Sequence, residues 1–145
     1  MPIKGTDSDL ANQDRLAAYL EEQWQCRLMK MQKYEVVDYA MLNEHNYGIQ
    51  AWVEFKARKI TCNQYPTIFI SLHKWERGVF RALITKLPFY VVIGCLDDDT
   101  VMYYEFERQH MGTFYVEWWG RTKRGMDDPD VEPVIHIPIE LFQPA

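Results

Sequence analysis

The chain has 145 residues and a mass of 17.3 kDa, which fits one domain of ordinary size. With 48% apolar and 26% charged residues it has the composition of a soluble globular protein; intrinsic disorder is excluded as the main state, and no charge-free run approaches the ~20 apolar residues of a membrane-spanning helix. A net charge of −5 excludes indiscriminate coating of nucleic acid, yet the stretch from Glu54 to Lys86 holds seven basic residues and two acidic ones, a local balance of +5 that leaves −10 for the rest. That basic middle is either a solvated face or a local field that attracts phosphate.

Met1 to Asp7 contains no apolar run of the kind a secretory signal needs, so a cytoplasmic location is expected. The three cysteines, Cys26, Cys62 and Cys95, are odd in number and 36 and 33 residues apart, which makes neither a disulfide framework nor a zinc pattern. Three reduced, mostly buried thiols are expected.

The first element is a long amphipathic helix from about Ser8 to Met31, in which Leu10, Leu16, Ala17, Leu20, Trp24 and Leu28 recur near helical spacing. At about 100° per residue Glu21 lies roughly 60° from the centre of that apolar stripe and Glu22 roughly 160° away. Glu22 therefore faces solvent, whereas Glu21 sits at the flank of the buried stripe. Tyr34 to Leu42 is rich in β-branched and aromatic residues; the polar turn Asn43 to Gly48 and a second extended run, Ile49 to Lys56, complete an antiparallel hairpin. Alternation along the second strand sets Trp52, Glu54 and Lys56 on one face and Ala51, Val53 and Phe55 on the other.

Ala57 to Thr67 reads as a loop across the end of the sheet, and the short apolar run Ile68 to Ile70 leads to Ser71 as the cap of a second helix ending near Lys86, before Pro88. Leu72, Trp75, Val79, Ala82 and Leu83 form its predicted buried stripe, with Lys74, Arg77 and Arg81 on the opposite side. Two strands, Phe89 to Leu96 and Val101 to Glu107, flank the acidic turn Asp97-Asp98-Asp99. Thr113 to Trp119 is a further strand, Arg121 to Pro133 a loop, and Val134 to Phe142 a last strand that Pro138 assigns to an edge. The order predicts an α/β or α+β domain with a mixed sheet.

One residue fits this scheme poorly. Asp38 falls inside an apolar strand, where an ionised carboxylate is costly without a metal, a partner or water. A hairpin brings it towards Glu54 and Lys56 at one end of the sheet, and two hard oxygen donors with a lysine beside them suit a divalent ion and a phosphate. The alternative is a solvent-facing Asp38 and a cross-strand ion pair between Glu54 and Lys56. Trp118 and Trp119, with Tyr103, Tyr104 and Tyr115, suit buried core, a base-stacking platform or a dimer contact. The Asp97-Asp98-Asp99 run lacks the spacing of a calcium loop and reads as a plain hairpin turn.

Asp38 on one strand and Glu54-x-Lys56 on the next, in the order helix, strand, strand, helix, strand, resemble the PD-(D/E)XK nuclease superfamily from about Leu10 to Leu96. Val53 to Arg58, with Tyr65 to Trp75 after it, is similar to small phage-encoded members of that group. The resemblance implies a restriction-endonuclease-like core, a mixed central sheet flanked by helices with a β-rich C-terminal extension, and the hydrolysis of phosphodiesters in DNA. It further implies Mg²⁺, with Mn²⁺ as a substitute, held by Asp38, Glu54 and the backbone carbonyl of Phe55, and a water positioned by Lys56. Glu21, or else Glu22, corresponds to the acidic residue of the first helix, and Lys74 to the polar residue of the helix after the motif. Arg58, Lys59, Lys74, Arg77 and Arg81 are the expected nucleic-acid contacts. Val37 stands where the fullest form of the motif has proline. Cutting both strands implies two active sites and hence a homodimer. A noncatalytic module on the same fold, binding nucleic acid or a protein partner, is the alternative, with a structural protein of a phage particle as a third.

Overall fold

The structure, a computed structural model, describes residues 9–31, 39–119 and 131–145. Helix α1 runs from Asp9 to Trp24 and stops at Gln25, which takes a left-handed backbone conformation with φ 49°. It is shorter than its apolar periodicity predicts. Residues Arg27–Lys30 form strand β1 instead, antiparallel to β2 (Tyr39–Leu42), because an open strand edge offers backbone partners that a longer helix would forgo. Leu28 still packs on the core that receives Leu16 and Leu20, reaching it from a strand rather than from the helix.

Strand β3 (Ile49–Arg58) pairs antiparallel with β2 through the turn at Asn43 to Gly48, where Asn43 Oδ1 accepts the amides of His45 and Asn46 at 2.8 and 3.2 Å. The predicted hairpin is present, with β2 beginning at Tyr39 among the described residues. Strand β4 (Thr67–Ser71) and helix α2 (Leu72–Thr85) then carry the chain across to β5 (Phe89–Cys95), which lies parallel to β3, and β6 (Thr100–Glu105) returns antiparallel. After β7 (Val116–Trp119) and β8 (Glu132–Pro138), the short β9 (Gln143–Pro144) closes the far edge, giving the order β1-β2-β3-β5-β6-β9.

A second sheet has the order β4-β8-β7, so β8 is its central strand and not the edge that Pro138 suggests. The prolines permit this because Pro133 and Pro138 sit at its ends, opposite Trp118 and Thr67, and leave Val134 to Ile137 free to pair on both sides. Arg121 to Asp130 of the predicted loop lie outside the described residues. No described helix is long and apolar enough to cross a membrane.

The main sheet is covered on both faces. Leu16, Ala17 and Leu20 of α1 meet Ala51, Val53, Phe55 and Val92 on one side. On the other, α2 and the second sheet enclose Trp52, Trp75, Phe89, Val91, Ile93, Tyr104 and Ile137. Strand β5 therefore reads as a nearly unbroken apolar run, as a strand buried on both faces must, whereas β3 interrupts its buried stretch with Glu54. A close approach occurs at Gly78, where a Cβ would overlap the ring of the fully buried Phe89. The ring has no room to yield, so Gly78→Ala is expected to destabilise the protein by about 1–3 kcal/mol in urea unfolding, whereas a neutral substitution would place α2 farther from β5.

Candidate active site

Alternation along β3 sends Glu54 and Lys56 to the face covered by α2, as the sequence predicts. Glu54 is only 1% exposed, and its register partner on β5 is Val91, fully buried. A carboxylate in such surroundings is costly unless a cation lies beside it. Lys74, in the first turn of α2, supplies one: its Nζ lies 2.8 Å from Glu54 Oε1, with the lysine side chain 29% exposed. Lys56, two residues along β3 and opposite Ile93, is half-buried at the rim of the same face. The structure thus brings Glu54, Lys56 and Lys74 to one face of the sheet.

Asp38 lies outside the described residues. Phe55 turns its ring to the other face, edge-on to Tyr39 with 4.7 Å between centroids. Glu21 belongs to α1, which packs on that other face, and its Oε2 accepts the amide of Leu28 at 3.0 Å. The carboxylate secures the start of β1. Glu22 is exposed, as its helical phase requires.

The basic residues of the middle segment divide. Arg58 is drawn inward: its guanidinium donates to the Phe69 carbonyl, lies 4.3 Å from the centroid of the Phe69 ring, and is held below the usual arginine range by burial. Arg81 lies 4.7 Å from the Trp52 ring, whose Nε1–H donates to Thr85 Oγ1 at 3.0 Å. Lys59 and Arg77 are exposed. Sequence periodicity sets Lys74, Arg77 and Arg81 together on the solvent side, but the buried residues of α2 are Trp75, Gly78, Val79 and Ala82. At about 100° per residue this stripe is rolled roughly 40° towards the basic flank. Lys74 and Arg81 are thereby half-buried against β3, while Leu83, predicted to be core, is exposed along with Phe80 and Ile84. The buried carboxylate and the Trp52 ring both attract cations, and hydrophobic periodicity contains neither effect.

Two further features are decided by the tertiary structure. His136 is buried with Nδ1 2.7 Å from Thr67 Oγ1 and Nε2 2.6 Å from Glu117 Oε1, stacked on Tyr115, so that one imidazole ties β4, β8 and the β7 segment together. Trp118, Trp119 and Tyr115 are about half exposed rather than core, whereas Tyr104 is buried.

Residues 2–145 match the family described as "Phage putative PDDEXK endonuclease". The chain belongs to this family. It is accordingly a PDDEXK-type nuclease, and its mixed sheet between helices is the restriction-endonuclease-like core of that group. Among solved structures, Hjc of Archaeoglobus fulgidus, described as a Holliday junction resolvase from an archaeal hyperthermophile, is similar at 19% identity and a TM-score of 0.46, over 86% of this chain and 88% of that one. The curated proteins give no match. Within this nuclease Arg58 is a tie between β3 and β4. Arg58→Lys, which loses the planar fork and the stack, is expected to cost about 1–2 kcal/mol of stability, and Arg77→Gln less than about 0.5 kcal/mol. Equal losses in urea titrations of the two variants would show that the Arg58 contact does not hold the strands.

Proposed function

We propose that this nuclease cleaves DNA with a divalent metal ion, Mg²⁺ or Mn²⁺, at the site built around Glu54. The observation that carries this reading is a fully buried carboxylate on β3, two residues before a lysine on the same face and within ion-pair distance of a second lysine on α2. Asp38, Glu54 and the Phe55 carbonyl are the donors we assign to the ion. They fit it, because carboxylate and carbonyl oxygens are the hard ligands that Mg²⁺ takes. Tyr39, next to Asp38 in the chain, pairs with Val53, next to Glu54, which supports a shared site. The bound ion supplies Lewis-acid stabilisation of charge developing on the phosphate.

The chain's own residues do the rest. Lys56 at the rim orients the attacking water by hydrogen bonding, and its ammonium offsets negative charge on the phosphate. Lys74 holds the Glu54 carboxylate in place and reaches towards the scissile phosphate. We assign Glu21 to the anchoring of β1. Lys59 and Arg77, both exposed, are the DNA-backbone contacts; Arg58 and Arg81 shape the surface beneath them. A homodimer would present one site to each strand, and the exposed aromatic strand β7 offers apolar surface for the contact.

Branched, single-stranded and duplex DNA incubated with Mg²⁺ or Mn²⁺ test this reading. Glu54→Gln and Lys56→Ala are expected to lower the cleavage rate by about 10²–10³-fold or more, with DNA affinity largely kept in Lys56→Ala. Calorimetric Mn²⁺ binding should vanish in Glu54→Gln. Cleavage unchanged in Glu54→Gln would sink the assignment, and binding of DNA without any metal or turnover would favour the noncatalytic module. Arg77→Gln should reduce the slope of log affinity against log salt by about one, the release expected for one phosphate contact; an unchanged slope would move the DNA path off α2.

A further inference from the structure

The loop after β3 is fastened to the turn between β5 and β6. Leu96 N–H donates to Arg58 O at 2.8 Å, Asp97 N–H to Ile60 O at 3.1 Å, and Cys62 N–H to Asp98 Oδ2 at 2.9 Å. This brings Cys62 beside Cys95, 33 residues away, with 3.4 Å between the sulfurs. Thr100 contacts Cys62 Sγ and donates to Asp98 Oδ1 at 2.6 Å. One ligand atom each from Cys62, Cys95 and Asp98 lies within 4.8 Å of the others, and among the described residues no other group of three His, Cys, Asp or Glu converges in this way. Cys95 is wholly buried, Cys62 half-buried and Asp98 exposed. Two soft donors thus sit inside, with one hard donor at the mouth.

We propose that Cys62, Cys95 and Asp98 form a binding site for a thiophilic divalent ion of the zinc class, its fourth position open to water on the Asp98 side. Geometry favours an ion over a disulfide. Tetrahedral zinc with Zn–S near 2.3 Å sets two sulfurs about 3.7 Å apart, so the observed pair needs to open by only a few tenths of an ångström. A disulfide would require the sulfurs to close by more than about 1 Å. Donor chemistry agrees, since two thiolates select zinc over the Mg²⁺ that suits an all-oxygen site. On binding, each thiol loses its proton to solvent, and two thiolates with one carboxylate leave a net −1 with the ion. The Cys62 amide and the Thr100 hydroxyl aim the Asp98 carboxylate, as partners of metal ligands commonly do. The ion would clamp the 59–66 loop, which starts at Lys59, to the β5–β6 turn, beyond the end of the strand that carries Glu54 and Lys56.

Co²⁺ titration of the full chain, reduced with a phosphine, reads the thiolate ligands directly. One equivalent should produce sulfur-to-cobalt charge-transfer absorption and tetrahedral d–d bands, both erased by Zn²⁺ and unaffected by excess Mg²⁺. Cys62→Ser should lose charge-transfer intensity and bind at least about tenfold more weakly. Asp98→Asn, which keeps an acceptor for the Cys62 amide, should retain the charge-transfer band and weaken binding by a similar factor. Glu54→Gln should leave the titration unchanged, so the outcome is independent of the nuclease site. No charge-transfer band at saturating Co²⁺, a band of full intensity in folded Cys62→Ser, or a band lost in Glu54→Gln would each overturn the assignment. Alkylation supplies a test on the unmodified sequence: Zn²⁺ should shield Cys62 from iodoacetamide, and equal labelling with and without Zn²⁺ would overturn the site without any variant.

Discussion

A carboxylate buried in the middle of an apolar sheet face is the constraint around which this molecule is arranged. Glu54 sits on a strand covered on both sides, beside Val91 of β5, and an ion there is tolerated only with a cation at hand. Lys74 meets that requirement at 2.8 Å, which fixes the first turn of α2 over β3. The rest of α2 follows from that anchor: Gly78 comes against Phe89, Arg81 lies over Trp52, and Phe80, Leu83 and Ile84 turn outward. The ion pair and the cation–ring contact lie on the flank of α2 that hydrophobic periodicity assigns to solvent, so the helix face against β3 is partly polar.

The same constraint joins fold to chemistry. A parallel β3–β5 pair needs a crossover, and the crossover supplies both β4 and α2, so the helix that neutralises Glu54 is also the connection that makes the central sheet possible. Arg58 ties the end of β3 to β4 through the Phe69 carbonyl and ring, and the β4-β8-β7 sheet is held in turn by His136 between Thr67 and Glu117. Basic residues that suggest a phosphate-binding face thus serve two purposes. Those near β3 stabilise the scaffold, and the exposed remainder, Lys59 and Arg77, carries positive charge to the surface.

The cysteines show how the connections around the site create proximity. Cys62 follows β3 and Cys95 ends β5, the two strands being parallel and in register from Trp52 with Phe89 to Arg58 with Cys95. The loop after β3 therefore returns past the end of its parallel neighbour, where the Asp97-Asp98-Asp99 turn waits. A turn that reads as simple solvated punctuation becomes the acceptor for the Cys62 amide.

By itself the sequence determined what depends on neighbours along the chain. The alternation that separates Glu54 and Lys56 from Val53 and Phe55, the hairpin through Asn43 to Gly48, the second helix and the β5–β6 pair are all local patterns, and Glu54-x-Lys56 lies on the first of them. The end of α1 was not legible, because Leu28 satisfies a helical stripe and a strand equally well and only the open edge of β2 decides between them. The central place of β8 was hidden for a similar reason, since a proline says that a backbone donor is missing but not whether that position lies inside the ladder or at its end. Tertiary structure alone placed Lys74 against Glu54, Arg81 on Trp52, Glu21 on the Leu28 amide and Cys62 beside Cys95. Each is a contact between groups not adjacent in sequence, and its energy arises from burial and charge that exist only once the two faces of the sheet are covered.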